Sequence, residues 1–263
     1  MYSGFAFSDA INGFMREKGA VLNMSELTQL QQWVFDARRI VFFGGAGVST
    51  ESGIPDFRSV DGLYRQNYDV PPETILSRDY FARQPESFYR FYKEKMLLLN
   101  KRPNPAHEAL VRLERAGRLI AVITQNIDGL HQMAGSRNVL ELHGSVHRNA
   151  CLTCGRRFDA AYVQRSDGAP RCPCGGLIKP DVVLYGETLD DAVVRRSIQA
   201  IRQADLLMVG GTSLTVYPAA GLIGYREGGC KLALLNRTPT PYDGEADLVL
   251  HGSIGDILGA LRV

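Results

Sequence analysis

Apolar positions first recur at helical spacing at Leu27, Leu30, Trp33, Val34 and Ala37. This stripe predicts a helix over about Ser25–Arg39 with one buried face. Asn23 precedes it as a cap, with Glu26 three residues later in a capping-box pattern. The pattern then changes. Ile40–Phe43 is a continuous apolar run stopped by Gly44 and Gly45, as expected of a strand buried on both faces. Similar runs return at Leu119–Ile123, Asp205–Val209, Lys231–Leu235 and Asp247–Leu250. Helical patterns lie between them at His107–Ala116 and Asp190–Gln203. Strands alternating with helices predict an α/β fold, an open parallel sheet covered by helices. Such sheets bind ligands at the carboxyl ends of their strands.

Two stretches break the alternation. Residues 59–100 are aromatic-rich and helical in parts, as in the Phe88–Phe91 region. Residues 147–180 hold paired cysteines among Gly, Pro and Arg. Both read as insertions forming a smaller lobe. That leaves 24–58, 101–146 and 181–263 for the sheet domain.

Composition narrows the function. The chain has 263 residues, 45% of them hydrophobic, enough for a sizeable core. Thirty basic against 28 acidic side chains give a net charge of +2, which argues against a strongly basic nucleic-acid binder. No apolar run approaches the roughly 20 residues of a membrane helix. The N-terminus lacks the basic start, continuous apolar stretch and cleavage site of a signal peptide. Four of the five cysteines form tight pairs, Cys151/Cys154 and Cys172/Cys174. Paired thiols in such a chain suit a metal in a reducing compartment, hence the cytoplasm. Two knuckles of this kind can close on one tetrahedral Zn²⁺, leaving no open position for water, so the metal would be structural. A redox dithiol and two disulfides remain as alternatives.

Candidate chemistry gathers at the strand ends. Gly44-Gly45-Ala46-Gly47-Val48-Ser49 follows the first strand, where glycines let backbone approach a phosphate. As a G-x-G-x-x-G match it is imperfect, because Thr50 stands in the last glycine's place, and a tight strand–helix turn explains it as well. Four polar clusters follow other strand-like runs: Thr124–Asp128, His143-Gly144-Ser145 after Val139–Leu142, Gly211-Thr212-Ser213, and Asn236-Arg237. Converging on one crevice, they suit ribose hydroxyls and pyrophosphate better than four unrelated caps. His143 is the candidate general base, since an imidazole exchanges protons near neutrality. A structural histidine is the competing reading.

These residues resemble the sirtuin family. The resemblance rests on Gly45–Ser49 through Gly53-Ile54-Pro55-Asp56-Phe57-Arg58-Ser59, on Thr124–His131, on Glu141–Gly144, on the paired cysteines, on Lys179–Glu187 and on Gly211–Leu214, all in order. It runs from about Ser25 to the C-terminus, making the chain one sirtuin-like unit. It implies a Rossmann-like NAD domain and a small lobe of zinc ribbon plus helical module. It also implies NAD-dependent deacylation of protein lysines. The acyl oxygen displaces nicotinamide from ribose, His143 then deprotonates a ribose hydroxyl, and water releases lysine and O-acyl-ADP-ribose.

By the same resemblance, Asn126 and Asp128 position the nicotinamide ribose and amide, with Asn126 counted as catalytic beside His143. Gly45, Ala46, Gly47, Phe57 and Arg58 belong to the cofactor loop. Gln125 contacts ribose, and Gly211, Thr212 and Ser213 bind phosphate and ribose. Asn236 and Arg237 lie near adenosine. Val183 lines the acyl-lysine tunnel, while Gly186, Glu187 and Val216 flank an extended substrate peptide. Cys151, Cys154, Cys172 and Cys174 hold one Zn²⁺. The implied partners are acyl-lysine proteins or peptides, with no membrane and no specific nucleic acid, and a monomer is favoured. Family members that remove acidic acyl groups carry Tyr-x-x-Arg. Here Tyr92 is followed by Lys95, which favours acetyl or other uncharged groups. Protein mono-ADP-ribosylation and non-catalytic NAD sensing are the alternatives.

Overall fold

The structure is a computed structural model and describes residues 23–57, 62–65 and 68–263. The first helix, α1 (Met24–Asp36), starts where Asn23 accepts a hydrogen bond from the Ser25 N–H. It stops short of the expected Arg39. The Asp205 carboxylate accepts the N–H groups of Arg38 and Arg39 at 2.9 and 3.0 Å and turns the chain into β1 (Ile40–Gly44).

A helical segment follows: α2 (Pro72–Ile75), α3 (Arg78–Arg83), α4 (Pro85–Phe91) and a π-turn over Tyr92–Met96. Next come α5 (Pro105–Arg115), capped by Asn104, β2 (Leu119–Thr124), α6 (Leu130–Ala134) and β3 (Val139–Glu141). The ribbon region contains β4 (Gly144–Cys151), β5 (Arg157–Phe158), α7 (Ala160–Arg165) and β6 (Ile178–Val182). The chain closes with α8 (Asp191–Gln203), β7 (Leu206–Gly210), β8 (Lys231–Asn236), β9 (Leu248–His251) and α9 (Ile254–Gly259).

Six strands make one parallel sheet in the order β3-β2-β1-β7-β8-β9. Numbered within this sheet, the order is the Rossmann 3-2-1-4-5-6, with its switch point between β1 and β7. The period of two along each strand divides the interior. Ile40, Phe42, Leu206 and Met208 face the core beneath α1, α5 and α9. Val41, Phe43, Leu207 and Val209 face the core beneath α8. Burying an apolar side chain of this size stabilises by about 1.5–3 kcal/mol, so both faces of β1 contribute.

The second lobe has its own core. Phe81, Phe88, Tyr89 and Tyr92 from the helical segment pack with Val146, Val163 and Ile178 from the ribbon. Phe88 and Tyr92 stack with centroids 5.4 Å apart. The two parts are also latched by hydrogen bonds. The Tyr89 hydroxyl donates to the Ile178 carbonyl, Lys93 donates to the carbonyls of Ser166 and Gly168, and Glu86 accepts the Ala169 N–H. The antiparallel sheet β5-β4-β6 begins at Gly144 rather than His147 and ends at Val182 rather than Pro180. The reason is pairing: Gly144 and Ser145 bond across to Val182 and Asp181.

Candidate active site

The crevice opens where β1 and β7 part. After β1 the chain turns through two 3₁₀ turns, Ala46–Val48 and Thr50–Ser52. The Gly47 N–H donates to the Gly211 carbonyl at 2.8 Å. A side-chain carbon on Gly47 would sit 2.8 Å from the Gly211 Cα, so only bare backbone allows the two loops this close. Asn104, at the start of α5, holds the turns from behind, donating to the Val48 carbonyl at 2.8 Å and to Ser52 Oγ at 3.0 Å.

Side chains from neighbouring strand ends link across the crevice floor. Gln125 donates to Thr212 Oγ1 at 3.0 Å, and the Thr212 N–H donates to Asn236 Oδ1 at 2.9 Å. Asn236 Nδ2 is buried with no partner among the described residues. An orphaned buried donor is costly unless a ligand supplies the acceptor. Together with the glycine-lined approach, this fits an anionic, hydroxyl-rich ligand such as a dinucleotide. Ser213 is exposed and shares a hydrogen bond with Thr215, and Arg237 is exposed at the crevice's outer end.

A relay sits on the other side. Asn126 Nδ2 donates to Ser49 Oγ at 3.1 Å, and Ser49 Oγ donates to Asp128 Oδ2 at 2.7 Å. Burial pushes the Asp128 carboxyl above its ordinary range, against hydrogen bonds from the Leu130 N–H and Ser49 that pull it down. Ser49 was not among the sequence-derived site residues. Its place on the glycine turn and in the sirtuin-like stretch Gly45–Ser49 marks it without giving it a role. Ser49→Ala leaves Asn126 and Asp128 each short of a partner. The expected outcome is an NAD KM raised about tenfold by the lost hydrogen bonds, read by steady-state kinetics.

His143 lies where the chain leaves one sheet for the other, between β3 and β4. Gly144 makes this crossing at φ +74°, and a side chain there would collide with the Asp181 carbonyl. His143 Nδ1 is 3.0 Å from the Gln125 carbonyl. A carbonyl only accepts, so Nδ1 carries the proton and neutral Nε2 keeps its lone pair. Burial lowers the His143 pKa, opposed by the bond to Gln125. The sign follows: neutral imidazole persists below the ordinary imidazole value and is lost as pH falls through the depressed one. The acid limb of kcat/KM is therefore expected below pH ~6.5, measurable with a pH-independent peptide substrate. A limb at or above that value contradicts the assignment.

The small lobe buttresses the same loop. His147 Nε2 donates to the Asp128 carbonyl at 2.9 Å, and the Val146 N–H donates to the Ile127 carbonyl at 3.0 Å. Phe57 packs against the small-lobe core and contacts the Tyr64 ring at 5.3 Å. Arg58 lies outside the described residues. Val183 is half-buried and its N–H donates to the His143 carbonyl. Gly186 is exposed and Val216 half-buried. The Glu187 carboxylate is not presented to a peptide. It turns inward, 3.0 Å from Lys179 Nζ, and accepts the Leu184 N–H at 2.9 Å. The Glu187 N–H donates to the Leu184 carbonyl at 2.9 Å.

Cys151, Cys154, Cys172 and Cys174 bring four sulfurs within 4.8 Å of one another. Cys151 to Cys174 is 3.5 Å and Cys154 to Cys172 is 3.6 Å, and none is in a disulfide. A tetrahedral Zn²⁺ with bonds of about 2.3 Å separates its sulfurs by about 3.8 Å, so the donor set fits that ion. This cluster belongs to the ribbon, whereas His143 and Asn126 border the sheet, in keeping with a structural metal.

Strand order and glycine crevice define the class: an α/β dinucleotide-binding protein with a four-thiol ribbon in its second lobe. The model of the Sir2 family matches residues 45–218, and the chain belongs to that family. It is similar to the NAD-dependent protein deacetylase of Clostridium acetobutylicum, with 54% identity over 242 residues, 90% of this chain and 98% of that protein. The NAD-dependent protein deacetylase of Clostridium perfringens is likewise 54% identical, over 237 residues covering 89% and 97%. Among solved structures, a histidine-to-alanine Sir2 variant with deacetylated p53 peptide and 3′-O-acetyl-ADP-ribose aligns at TM-score 0.82. Its identity is 39%, covering 89% of this chain and 96% of that one.

Proposed function

We propose that this protein is an NAD-dependent protein lysine deacetylase that yields nicotinamide, free lysine and O-acetyl-ADP-ribose. One observation carries the reading: a neutral histidine with Nε2 available as a base, held at the edge of a dinucleotide crevice. The names and bound ligands of the Sir2 relatives point to the same reaction.

NAD supplies a strong leaving group and the acyl acceptor, chemistry that an unactivated amide lacks. The protein's own residues bind, orient and move a proton. Gly45, Ala46, Gly47 and Gly211 offer backbone to the phosphates, and the family resemblance assigns Arg58 to the same group. Thr212, Ser213 and Gln125 reach ribose, and Asn236 and Arg237 the adenosine end. Asn126 and Asp128, set by Ser49, orient the nicotinamide ribose and amide. Phe57 covers the reacting carbon against water. His143 Nε2 takes the ribose hydroxyl proton, and the Gln125 carbonyl stabilises the imidazolium that forms. Val183 lines the acyl-lysine channel, and Gly186, Glu187 and Val216 flank the peptide through backbone. The four cysteines would hold Zn²⁺ and fix the ribbon, away from the chemistry.

The substrate acyl group in this reading is uncharged. Lys95, in the place of a carboxylate-binding arginine, is paired with Glu94 at 2.8 Å, and Tyr92 is buried in the small-lobe core. No helix among the described residues is long and apolar enough to cross a membrane. Thiols gathered for a metal fit a reducing compartment, so we place the enzyme in the cytoplasm, acting as a monomer.

Incubation of the protein with an acetyl-lysine peptide, with and without NAD, tests the reading by product mass. Free-lysine peptide, nicotinamide and O-acetyl-ADP-ribose formed together only with NAD support it. ADP-ribose attached to peptide or protein supports a transferase instead. NAD binding without turnover on acetyl or longer uncharged acyl peptides leaves the sensor reading.

A further inference from the structure

Lys179 sits on β6, and its ammonium gathers three acceptors. It donates to the Val182 carbonyl at 3.0 Å and the Pro180 carbonyl at 3.2 Å, and it pairs with Glu187 Oε2 at 3.0 Å. Both side chains are about one-fifth exposed, so water screens the pair only in part. Glu187 Oε2 also accepts the Leu184 N–H, and the Glu187 N–H donates to the Leu184 carbonyl. The turn from Leu184 to Glu187 is therefore closed twice. Its opposite edge is already taken: the Tyr185 N–H donates to the Leu76 carbonyl, and the Arg78 N–H to the Tyr185 carbonyl. Upstream, the Val183 N–H is anchored on the His143 carbonyl. A segment pinned at both ends, along one edge and at Leu184 holds one backbone conformation, with Gly186 exposed at its outer corner.

We propose that Lys179 is a positioning residue for the acyl-lysine peptide. Through Glu187 and the two carbonyls, its ammonium fixes the Val182–Glu187 backbone along which the peptide pairs. Lys179 is remote in role from the NAD crevice, so it sets peptide affinity and register without setting cofactor affinity. Glu187 then acts through the turn and not by touching the peptide with its carboxylate. This inference rests on the deacetylase reading. It deepens that reading by separating the parts of the site that serve each substrate.

The test compares wild type, Lys179→Met, Lys179→Arg, Glu187→Gln and the double variant Lys179→Met/Glu187→Gln. Measurements are binding of a fluorescent acetyl-lysine peptide, KM for peptide and for NAD, zinc content and thermal unfolding. Lys179→Met is expected to weaken peptide binding about tenfold, with NAD KM and zinc content near wild type. Lys179→Arg, which keeps charge and donors, restores affinity to within about threefold. Glu187→Gln weakens peptide binding similarly, and the double variant is no worse than Lys179→Met, because the two act as one unit. Unchanged peptide affinity in folded Lys179→Met overturns the proposal, as does an equal loss on the NAD side. Should Lys179→Met fail to fold, Glu187→Gln decides alone: wild-type peptide affinity refutes the idea, and a selective loss supports it. Wild type that neither binds nor deacetylates the peptide refutes the deacetylase reading itself, an outcome distinct from both.

Discussion

His143→Ala lowers the rate of free-lysine peptide formation by about 10²–10⁴-fold, the usual cost of losing a positioned general base. That range corresponds to about 2.7–5.5 kcal/mol of transition-state stabilisation. The fold and NAD affinity change little. The side chain makes one described hydrogen bond, to the Gln125 carbonyl, and the links from Gln125 to Thr212 and Asn236 do not pass through it. His143→Asn sharpens the result. Asparagine places an amide N–H where Nδ1 stands, within reach of the same carbonyl, but has no basic nitrogen, so an equal loss assigns the effect to proton transfer. Stopped-time mass spectrometry of the peptide, with calorimetry of NAD binding, reads both quantities. Near-wild-type turnover in either variant sinks the base assignment.

Cys151→Ser abolishes zinc binding and unfolds the small lobe while the parallel sheet persists. Metal binding and local folding are one equilibrium in sites of this type. Here Cys151 and Cys172 are also part of the packed core that holds Val163, Ile178 and Tyr89. The sheet domain keeps its own two cores, so unfolding is expected to split into two thermal transitions. Activity falls too, by an indirect route. A disordered ribbon withdraws the His147 and Val146 bonds that brace Asp128 and Ile127. Plasma emission spectrometry should find one zinc per wild-type chain and none in the variant. A wild-type protein without metal, or a variant with a single unshifted transition, refutes the arrangement.

The parallel sheet was legible because its strands are buried on both faces and write continuous apolar runs. Residues that act through distant partners were not legible. The end of α1 depends on the Asp205 carboxylate, far along the chain. The same holds for Ser49, whose partners Asn126 and Asp128 come from the next strand's end. The resemblance sets Glu187 beside the peptide, but the pairing of its carboxylate with Lys179, eight residues back, has no signal in the sequence. His147 carries no local signal, because its role lies in a bond to the Asp128 carbonyl from another element. In the aromatic-rich insertion, short helices and a π-turn follow one another too quickly for a clear period, so the sequence reads only as helical in parts and does not separate α2, α3 and α4. Local patterning encodes elements; the site is made of pairings between their ends.

The position of β1 has a consequence for how the molecule comes into being. Its Ile40 pairs with Leu119 on one side and Leu206 on the other. An emerging chain therefore carries Ile-Val-Phe-Phe with no neighbour until Leu119 is made, and without its second until Leu206. Pairings this distant in sequence make folding slow and leave apolar edges open to wrong partners. The ribbon has the opposite economy, since Cys151 through Cys174 can close as soon as that short stretch is synthesised. The metal-bearing lobe is thus the part able to form early, and the dinucleotide crevice, which needs β1 beside β7, is among the last features to be assembled.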